Sequence, residues 1–482
     1  MYFDPPYNTG NNDFKYNDKF VEREDSYRHS KWLSFMSKRL KLAKNLLKES
    51  GVIFISIDNN EVAQLKLLCQ DIFGEENFIS DVAVINNLKG RSDDKFIATA
   101  HEHLLIFKKK NFETLGVAVP EEYFGDYKFE DTNGKYRLLG LRKRGANSRR
   151  EDRPNLFYPF YYEEETNKLS LKETDFKKKP IKILPKLSNG AEGNWRWGRE
   201  TAAERINELV VSLVKKRNEF DISQKDYLHR ENGDLKRIKP KSFWAGSEFS
   251  SDAGTKALKE ILPDTTFNNP KSVHLIKYCL EQASKKKSII LDIFAGSGTT
   301  GQSVLELNES DGGHRQFILV TNNENEICTE VCYPRVKKVI KGYKNIKDES
   351  VAGLGGNLKY YKTNFVGSEP THRNKKLLTE KSIEMLCIRE NTFEEVSIKP
   401  DIAIFKSEKK YTAILFNEIK MEEFKREIKK LKLKVSVYVF SLEGDDFSED
   451  FEDLKNDITL CSIPEAILKV YRRIYETAKP KK

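Results

Sequence analysis

The stretch 288–307 constrains the fold more than any other part of the chain. Ser288-Ile-Ile-Leu-Asp-Ile293 is a short apolar run rich in β-branched residues, the pattern of a strand buried on both faces. It enters Phe294-Ala-Gly296-Ser-Gly298-Thr-Thr-Gly301 directly, and a helix is predicted from there through Leu307. A strand, a Gly-rich turn and a helix N-terminus belong to an α/β sheet and form a cradle for a nucleotide-like cofactor. Gly296 and Gly298 let the backbone approach a ligand without a Cβ in the way. Asp292, at the strand end, is placed to reach a cationic amino group. Phe317-Ile-Leu-Val320 reads as the next strand.

The spacing Gly296-x-Gly298-x-x-Gly301 also fits the dinucleotide fingerprint, a weak signal when it stands alone. The following strand ends Val320-Thr-Asn-Asn323, with no acid before Glu324. The strand-end acid that would hold a ribose is therefore missing for either kind of cofactor.

The same alternation occupies the start of the chain. A helix is predicted over 31–49, with Leu33, Met36, Leu40, Ala43 and Leu47 at helical spacing. Strands are predicted at 51–57 and 103–107, with a helix at 61–73 between them. From about 111 to 250 aromatics and arginines rise and the alternation fades. It returns over about 251–345, with a helix at 271–283. Residues 346–482 read as a separate small α/β unit: a hairpin at 401–405 and 411–416, a helix at 421–431, a strand at 434–440 and a closing helix at 463–475. The expected domains are 1–110 and 251–345 as two halves of one core, 111–250 as an insert, and 346–482 as an appendage.

Composition bounds the functions. Of 482 residues, 33% are charged and 38% hydrophobic, a soluble globular profile. No apolar run approaches the roughly 20 residues needed to cross a bilayer, and Asp4 comes too early for a signal peptide, so a cytoplasmic protein is expected. The net charge of +10 is compatible with nucleic acid but does not demand it. Six cysteines are scattered along the chain. The one close pair, Cys328 and Cys332, has no His beside it, and His101-Glu-His103 has no third ligand, so no metal is expected.

Asp4-Pro5-Pro6-Tyr7 carries the chemistry. An amino group conjugated with a heterocycle is a poor nucleophile, because its lone pair is delocalised into the ring. A carboxylate and a backbone carbonyl that accept its two N–H bonds draw it toward a tetrahedral shape and stabilise the charge that develops. Asp4 supplies the carboxylate, Pro5 the carbonyl, the proline pair rigidity, and Tyr7 a face on which an extruded base can stack.

The tetrapeptide resembles the catalytic motif of amino-methylating DNA methyltransferases, whose Asp form goes mainly with adenine N6 and whose Ser form goes mainly with cytosine N4. The longer Asp4-Pro-Pro-Tyr-Asn-Thr-Gly10 is similar to the modification (Mod) subunit of type III restriction–modification systems. So are His29-Ser-Lys-Trp-Leu-Ser-Phe-Met36, Gly51-Val-Ile-Phe-Ile-Ser-Ile-Asp58, Arg153-Pro-Asn-Leu-Phe-Tyr-Pro159, Phe267-Asn-Asn-Pro-Lys-Ser272 and Phe294-Ala-Gly-Ser-Gly-Thr-Thr300. The catalytic motif precedes the cofactor motif, which resembles the beta class of these enzymes.

The resemblance implies an α/β fold: a permuted Rossmann-like S-adenosylmethionine-dependent methyltransferase with an inserted target-recognition domain and a small α/β C-terminal domain. It implies S-adenosylmethionine bound by Phe294, Gly296 and Gly298, with Asp292 near the methionine amino group and Phe267 to Lys271 on the cofactor side. It implies double-stranded DNA as substrate, a homodimer, and a restriction (Res) partner. Within the insert, Arg142, Arg144, Arg149, Arg153, Trp195 and Trp197 are the expected DNA contacts. Family members usually carry a segment upstream of the catalytic motif, and only Met1-Tyr-Phe3 precedes Asp4 here. The chain is therefore expected to lack one or two strands and part of the cofactor pocket. Alternatives are a solitary regulatory methyltransferase, methylation of cytosine N4 or RNA, and a truncated, inactive DNA-binding remnant.

Overall fold

The computed structural model describes residues 1–9, 27–90, 94–215, 217–364, 367, 371–440, 447–454, 457–463 and 467. They form two compact units, Met1–Lys359 and Tyr360–Lys482.

The first unit is built on a sheet whose chain segments are β1 (Tyr2–Phe3), β2 (Val52–Ile57), β3 (Phe78–Val84) and β4 (Glu102–Lys108), with α1 (Arg28–Leu46) and α2 (Val62–Phe73) between the first strands. All six residues of β2 are buried, as its unbroken apolar run requires. It lies between β1, parallel, and β4, antiparallel. Alternation then divides the core into two layers. Phe3, Ile53, Ile55, Ile57 and Phe107 face Trp32, Met36 and Leu40 of α1 and Leu65 of α2. Tyr2, Val52, Phe54, Leu104 and Ile106 face the opposite side. Each large side chain buried here contributes roughly 1.5–3 kcal/mol. The apolar stripe of α1 is Trp32, Met36, Leu40 and Ala43; the expected Leu33 is only partly buried, because the wholly buried Trp32 takes its place.

An insert leaves after β4 and is built mainly of β-strands. A short neck, β5 (Val117–Ala118) against a strand at Arg237–Ile238, closes it. Inside are β6 (Phe129–Asp131), β7 (Gly134–Gly140), β8 (Phe160–Glu163), β9 (Lys168–Ser170), β10 (Ile181–Ile183), the short α3 (Arg199–Glu204), β11 (Leu209–Val214) and β12 (Glu219–Tyr227), with β13 the Arg237–Ile238 strand of the neck. They make two sheets, β10-β8-β9 and β11-β12-β7-β6. Phe160, Trp195 and Ile222 pack between them. The chain rejoins the core as β14 (Phe243–Trp244), parallel to β3.

Next come α4 (Ser251–Ile261), α5 (Val273–Ala283), β15 (Ile289–Asp292), α6 (Thr299–Asp311) and β16 (Gln316–Leu319). β15 and β16 are parallel, and β15 lies beside β1. Leu275, Ile276 and Leu280 of α5 and Val304 and Leu307 of α6 cover the second face of the sheet. The result is a helix–sheet–helix sandwich of the expected α/β class, entered in permuted order. The expected boundary at 345/346 falls within a hairpin of β17 (Gly342–Lys344) and β18 (Ser350–Ala352), which follows α7 (Tyr333–Lys341). Its pairing keeps residues 346–359 with the first unit.

The second unit holds α8 (His372–Glu390), β19 (Glu394–Lys399), β20 (Ile402–Lys406), β21 (Tyr411–Leu415), α9 (Met421–Ile428), β22 (Val435–Val439) and β23 (Ile458–Leu460). The strands form one sheet in sequence order, and β20–β21 is the expected hairpin. Alternate residues face α8 (Ala403, Phe405, Ile414) and α9 (Ile402, Ile404, Leu415). The closing helix expected at 463–475 lies outside the described residues apart from Ile463 and Ile467. Among the described residues no helix is long and apolar enough to cross a membrane.

Trp195, expected to meet DNA, is instead the centre of the insert's core. It is wholly buried, its indole donates to the Tyr158 carbonyl at 2.8 Å, and its ring meets Phe160 edge-on. Trp195→Ala should therefore cost about 3–5 kcal/mol through the cavity it leaves. Denaturant unfolding of the variant checks this. A loss of DNA binding with unchanged stability would return Trp195 to the surface role.

Candidate active site

The strand β1 ends at Phe3, so Asp4 stands at the C-terminal tip of a central strand, where α/β sheets bind their ligands. The loop that follows is held from below. The Trp32 indole donates to the Pro6 carbonyl at 2.8 Å. Asn8 turns the chain in a left-handed conformation, φ 59°. Its side-chain amide donates to Glu61 at 2.5 Å, and His29 meets the same carboxylate at 2.8 Å. Asn8 and Glu61 are both buried.

Tyr7 points its hydroxyl into a four-membered polar cluster. It lies 3.0 Å from Asp4 Oδ1 and 3.0 Å from Glu102 Oε2. Its single hydrogen serves one carboxylate at a time. The Lys271 ammonium donates to the Tyr7 hydroxyl at 2.5 Å and to Glu102 Oε2 at 2.6 Å, and approaches Asp4 Oδ1 at 3.4 Å. Lys271 comes from the segment before α5, where Ser272 caps the helix through the Leu275 amide and donates to the Glu248 carbonyl.

Electrostatics follow from this crowding. Burial pushes the Asp4 carboxyl up to about 6; Lys271 pulls it down and Glu102 adds to the rise. Burial alone would lower the Lys271 ammonium, but Asp4 and Glu102 outweigh it and raise it. Asp292 ends β15, 2% exposed. Burial raises its carboxyl to about 7 even though Thr300 donates to it at 2.5 Å and the Phe294 amide at 2.9 Å.

Asp4, Pro5, Pro6, Tyr7, Phe267, Lys271, Asp292, Phe294 and Gly296 line one pocket, about 760 Å³ including its open mouth. Phe294 also anchors the loop, edge-on to Phe3. A Cβ on Gly296 would meet only the Phe294 carbonyl, at 3.8 Å, so the turn presents an open face there.

Gly298 departs from expectation. It is not among the pocket-lining residues. A Cβ on it would press on Cys332 and Val336 at 3.1–3.2 Å, and its φ is +79°. It shapes the start of α6 against its neighbours.

The insert's arginines do not line the pocket. Arg144, Arg149 and Arg153 are exposed. Arg142 is half-buried and donates to the Lys186 carbonyl, and Arg149 pairs with Glu151. Bridges from Arg142 to Trp195 and from Arg149 to Gly193 hold their segment against the insert. Trp197 is partly buried beneath the Arg205 guanidinium, 4.5 Å away. Both ring nitrogens of His103 are engaged, by Asp81 and Asn59.

Two residues escaped the sequence reading. Glu102 is 4% exposed. It shares strand parity with Leu104 and Ile106, so an acid stands where alternation demands an apolar residue, and that was a readable signal. Arg335 is wholly buried behind the Gly-rich turn. Its guanidinium donates to Gln302 at 2.8 Å, Thr299 at 2.7 Å and Ser297 at 3.0 Å. Burial brings it down to about 10.

Fold and site together define an α/β protein with an acid-lined pocket shared by a Pro-Pro loop and a Gly-rich turn. The family described as DNA methylase, N6_N4_Mtase, matches residues 1–332, and the chain belongs to that family of DNA-methylating enzymes. It is 36% identical to the type II methyltransferase M.KpnI of Klebsiella pneumoniae, over 73% of this chain and 80% of that one. It is also 36% identical to the type III restriction-modification enzyme EcoPI Mod subunit of Escherichia phage P1, over 67% of this chain and 54% of that one. A probable HindVI Mod subunit of Haemophilus influenzae is 26% identical and aligns with 95% of this chain and 62% of its own length. The chain thus spans little more than half the length of these Mod relatives.

Two outcomes follow from the site. Gly298→Val should destabilise more than Gly296→Ala, since only the former overpacks, at about 1–3 kcal/mol; equal urea midpoints would contradict the difference in surroundings. Asp292 carries a raised folded-state value, from 3.8 to about 7. Its stability contribution is full below its unfolded value and is lost as pH rises through about 7. Asp292→Asn escapes that loss. Thermal melts should show the variant gaining on the parent from pH 5 to 7.5 and the gap levelling above; a gap that stays flat contradicts the burial argument.

Proposed function

We propose that the chain is a site-specific DNA methyltransferase that moves a methyl group from S-adenosylmethionine to adenine N6 in duplex DNA, as the modification subunit of a type III restriction–modification system. The observation that carries the reading is the junction of Asp4, the Pro5 carbonyl and the Gly296 turn in one pocket. The open face at Gly296 and the carboxylate of Asp292 fit the cofactor, a zwitterion with an ammonium group. Phe294, Gly296 and Asp292 would hold it, with Phe267 on the opposite wall. When bound, it supplies an electrophilic methyl on a positively charged sulfur.

The protein's part is to make a poor nucleophile competent. Asp4 and the Pro5 carbonyl accept the two amino N–H bonds, so the nitrogen lone pair leaves conjugation and points at the methyl carbon. As the new N–C bond forms, the nitrogen gains positive charge, and the Asp4 carboxylate stabilises it. With its proton affinity raised, Asp4 is also a suitable acceptor for the proton that must leave. No residue becomes a covalent nucleophile. The target base must leave the duplex to reach so recessed a carboxylate. The adenine assignment rests on the Asp form of the motif. The exposed Arg144, Arg149 and Arg153 support phosphate or base contacts by the insert. A homodimer, a restriction (Res) partner and a cytoplasmic site of action complete the reading.

Nucleoside mass spectrometry of DNA from a host expressing the chain tests it. N6-methyladenine is expected. N4-methylcytosine would move the target base, and no methylated base would overturn the reading. Asp4→Ala should slow transfer by about 10²–10³-fold with cofactor affinity retained. Full-rate methylation by that variant would remove Asp4 from the mechanism.

A further inference from the structure

Nothing in the catalytic motif accounts for Glu102. It is a buried carboxylate on β4, 98 residues from Asp4 along the chain, yet it meets the same two partners as Asp4. Lys271 has one positive charge and two carboxylates within 4 Å, and the distances are unequal: 2.6 Å to Glu102 and 3.4 Å to Asp4. Tyr7 stands 3.0 Å from each acid. Both contacts to Asp4 use Oδ1. Asp4 Oδ2 is free of them, and the side chain is 28% exposed.

We propose that Glu102 is a positioning residue of the transfer site: it draws the Lys271 ammonium and the Tyr7 hydroxyl to itself and so keeps the Asp4 carboxylate open to the target amino group. A carboxylate locked in a close ion pair is a weak acceptor, because its charge is already spent on the cation. A carboxylate with no cation nearby, buried this deeply, would take up a proton and cease to accept at all. Sharing Lys271 between two acids avoids both extremes. The groups that face Asp4 are Tyr2 on its own strand, Tyr7 on its own loop, Glu102 on β4, Lys271 before α5 and Asp292 on β15. Of these only Glu102 both repels charge from Asp4 and competes for its cation. The inference rests on the methyl-transfer reading for its purpose, but the charge relation is a property of the protein alone.

The test separates the two. In protein carrying ¹³C-carboxyl aspartate, with Asp4→Asn to assign the signal, the Asp4 carboxyl is titrated in the parent and in Glu102→Gln. Loss of Glu102 removes a repelling charge and releases Lys271 to Asp4, and both favour the ionised form. The Asp4 midpoint should therefore fall below the parent's value near 6. Single-turnover transfer from tritiated S-adenosylmethionine to DNA of a methylation-deficient bacterium should slow by about 10²-fold, the cost of a misplaced catalytic group, while calorimetric cofactor affinity holds. The acid limb of the rate should move to lower pH. Glu102→Asp keeps the charge and should keep the midpoint, also serving if Glu102→Gln fails to fold. An Asp4 midpoint in Glu102→Gln that matches the parent overturns the proposal, as does an undiminished rate. A Glu102→Asp midpoint that falls well below the parent's likewise overturns it. A parent that transfers no methyl refutes the functional reading, and the titration then still decides the role of Glu102.

Discussion

The Lys271 ammonium, largely shielded from solvent, ties the core of the first unit together. Lys271 reaches Asp4 from one end of the core and Glu102 from another, so residues 4, 102 and 271 converge on one point. Removing one partner from such a group leaves an uncompensated buried charge, at a typical cost of about 3–5 kcal/mol. That asymmetry matters more than the net worth of the ion pairs, which is small once desolvation is counted. The arrangement seen here, in which the two halves of the permuted core meet at Lys271, keeps the three charges together.

The same logic recurs behind the cofactor turn. Arg335 is wholly buried, and the hydroxyls of Ser297 and Thr299, which line the pocket, receive its N–H bonds. Gly298 permits the close approach of this turn to Cys332 and Val336, which a Cβ would crowd at 3.1–3.2 Å. The turn is therefore held by packing on one side and hydrogen bonds behind. Its open face at Gly296 is a consequence of that support, since a loop fixed from beneath loses little further freedom when a ligand arrives.

Short-range patterns were legible in the sequence, and long-range ones were not. The tip of β1, the buried run of β2 and the strand–turn–helix at 288–307 each declare themselves within a short stretch, and the structure puts the first and the third around one pocket. The α1 stripe was displaced by one position, since helical spacing alone cannot decide between Trp32 and Leu33 as its first member. Trp195 was misplaced because an aromatic beside arginines looks the same from sequence whether its ring meets solvent or a second sheet. Here Tyr158 supplies its acceptor and Phe160 its neighbour, from more than 30 residues away. The packing of Gly298 against Cys332 could not be read either, because nothing in its neighbourhood announces that residue. Glu102 carried a signal in its strand parity, but its flanking histidines drew attention to metal chemistry instead.

The insert joins the core at one edge of the sheet. The insert departs after β4 and returns through β14, which pairs with β3. In the strand order β1-β2-β4-β3-β14, that return is at the edge of the sheet remote from β15 and the Gly-rich turn. Its neck, β5 against β13, closes the insert with its own ladder, and its core of Phe160, Trp195 and Ile222 is separate from both layers of the sandwich. A segment that folds around its own core and attaches at one edge can change its surface without repacking the other. The residues of the pocket come from 2–7, 267–276 and 292–300, none from between 111 and 250. Pocket and insert thus rest on different cores, and the surface that carries Arg144, Arg149 and Arg153 is built on the insert's own.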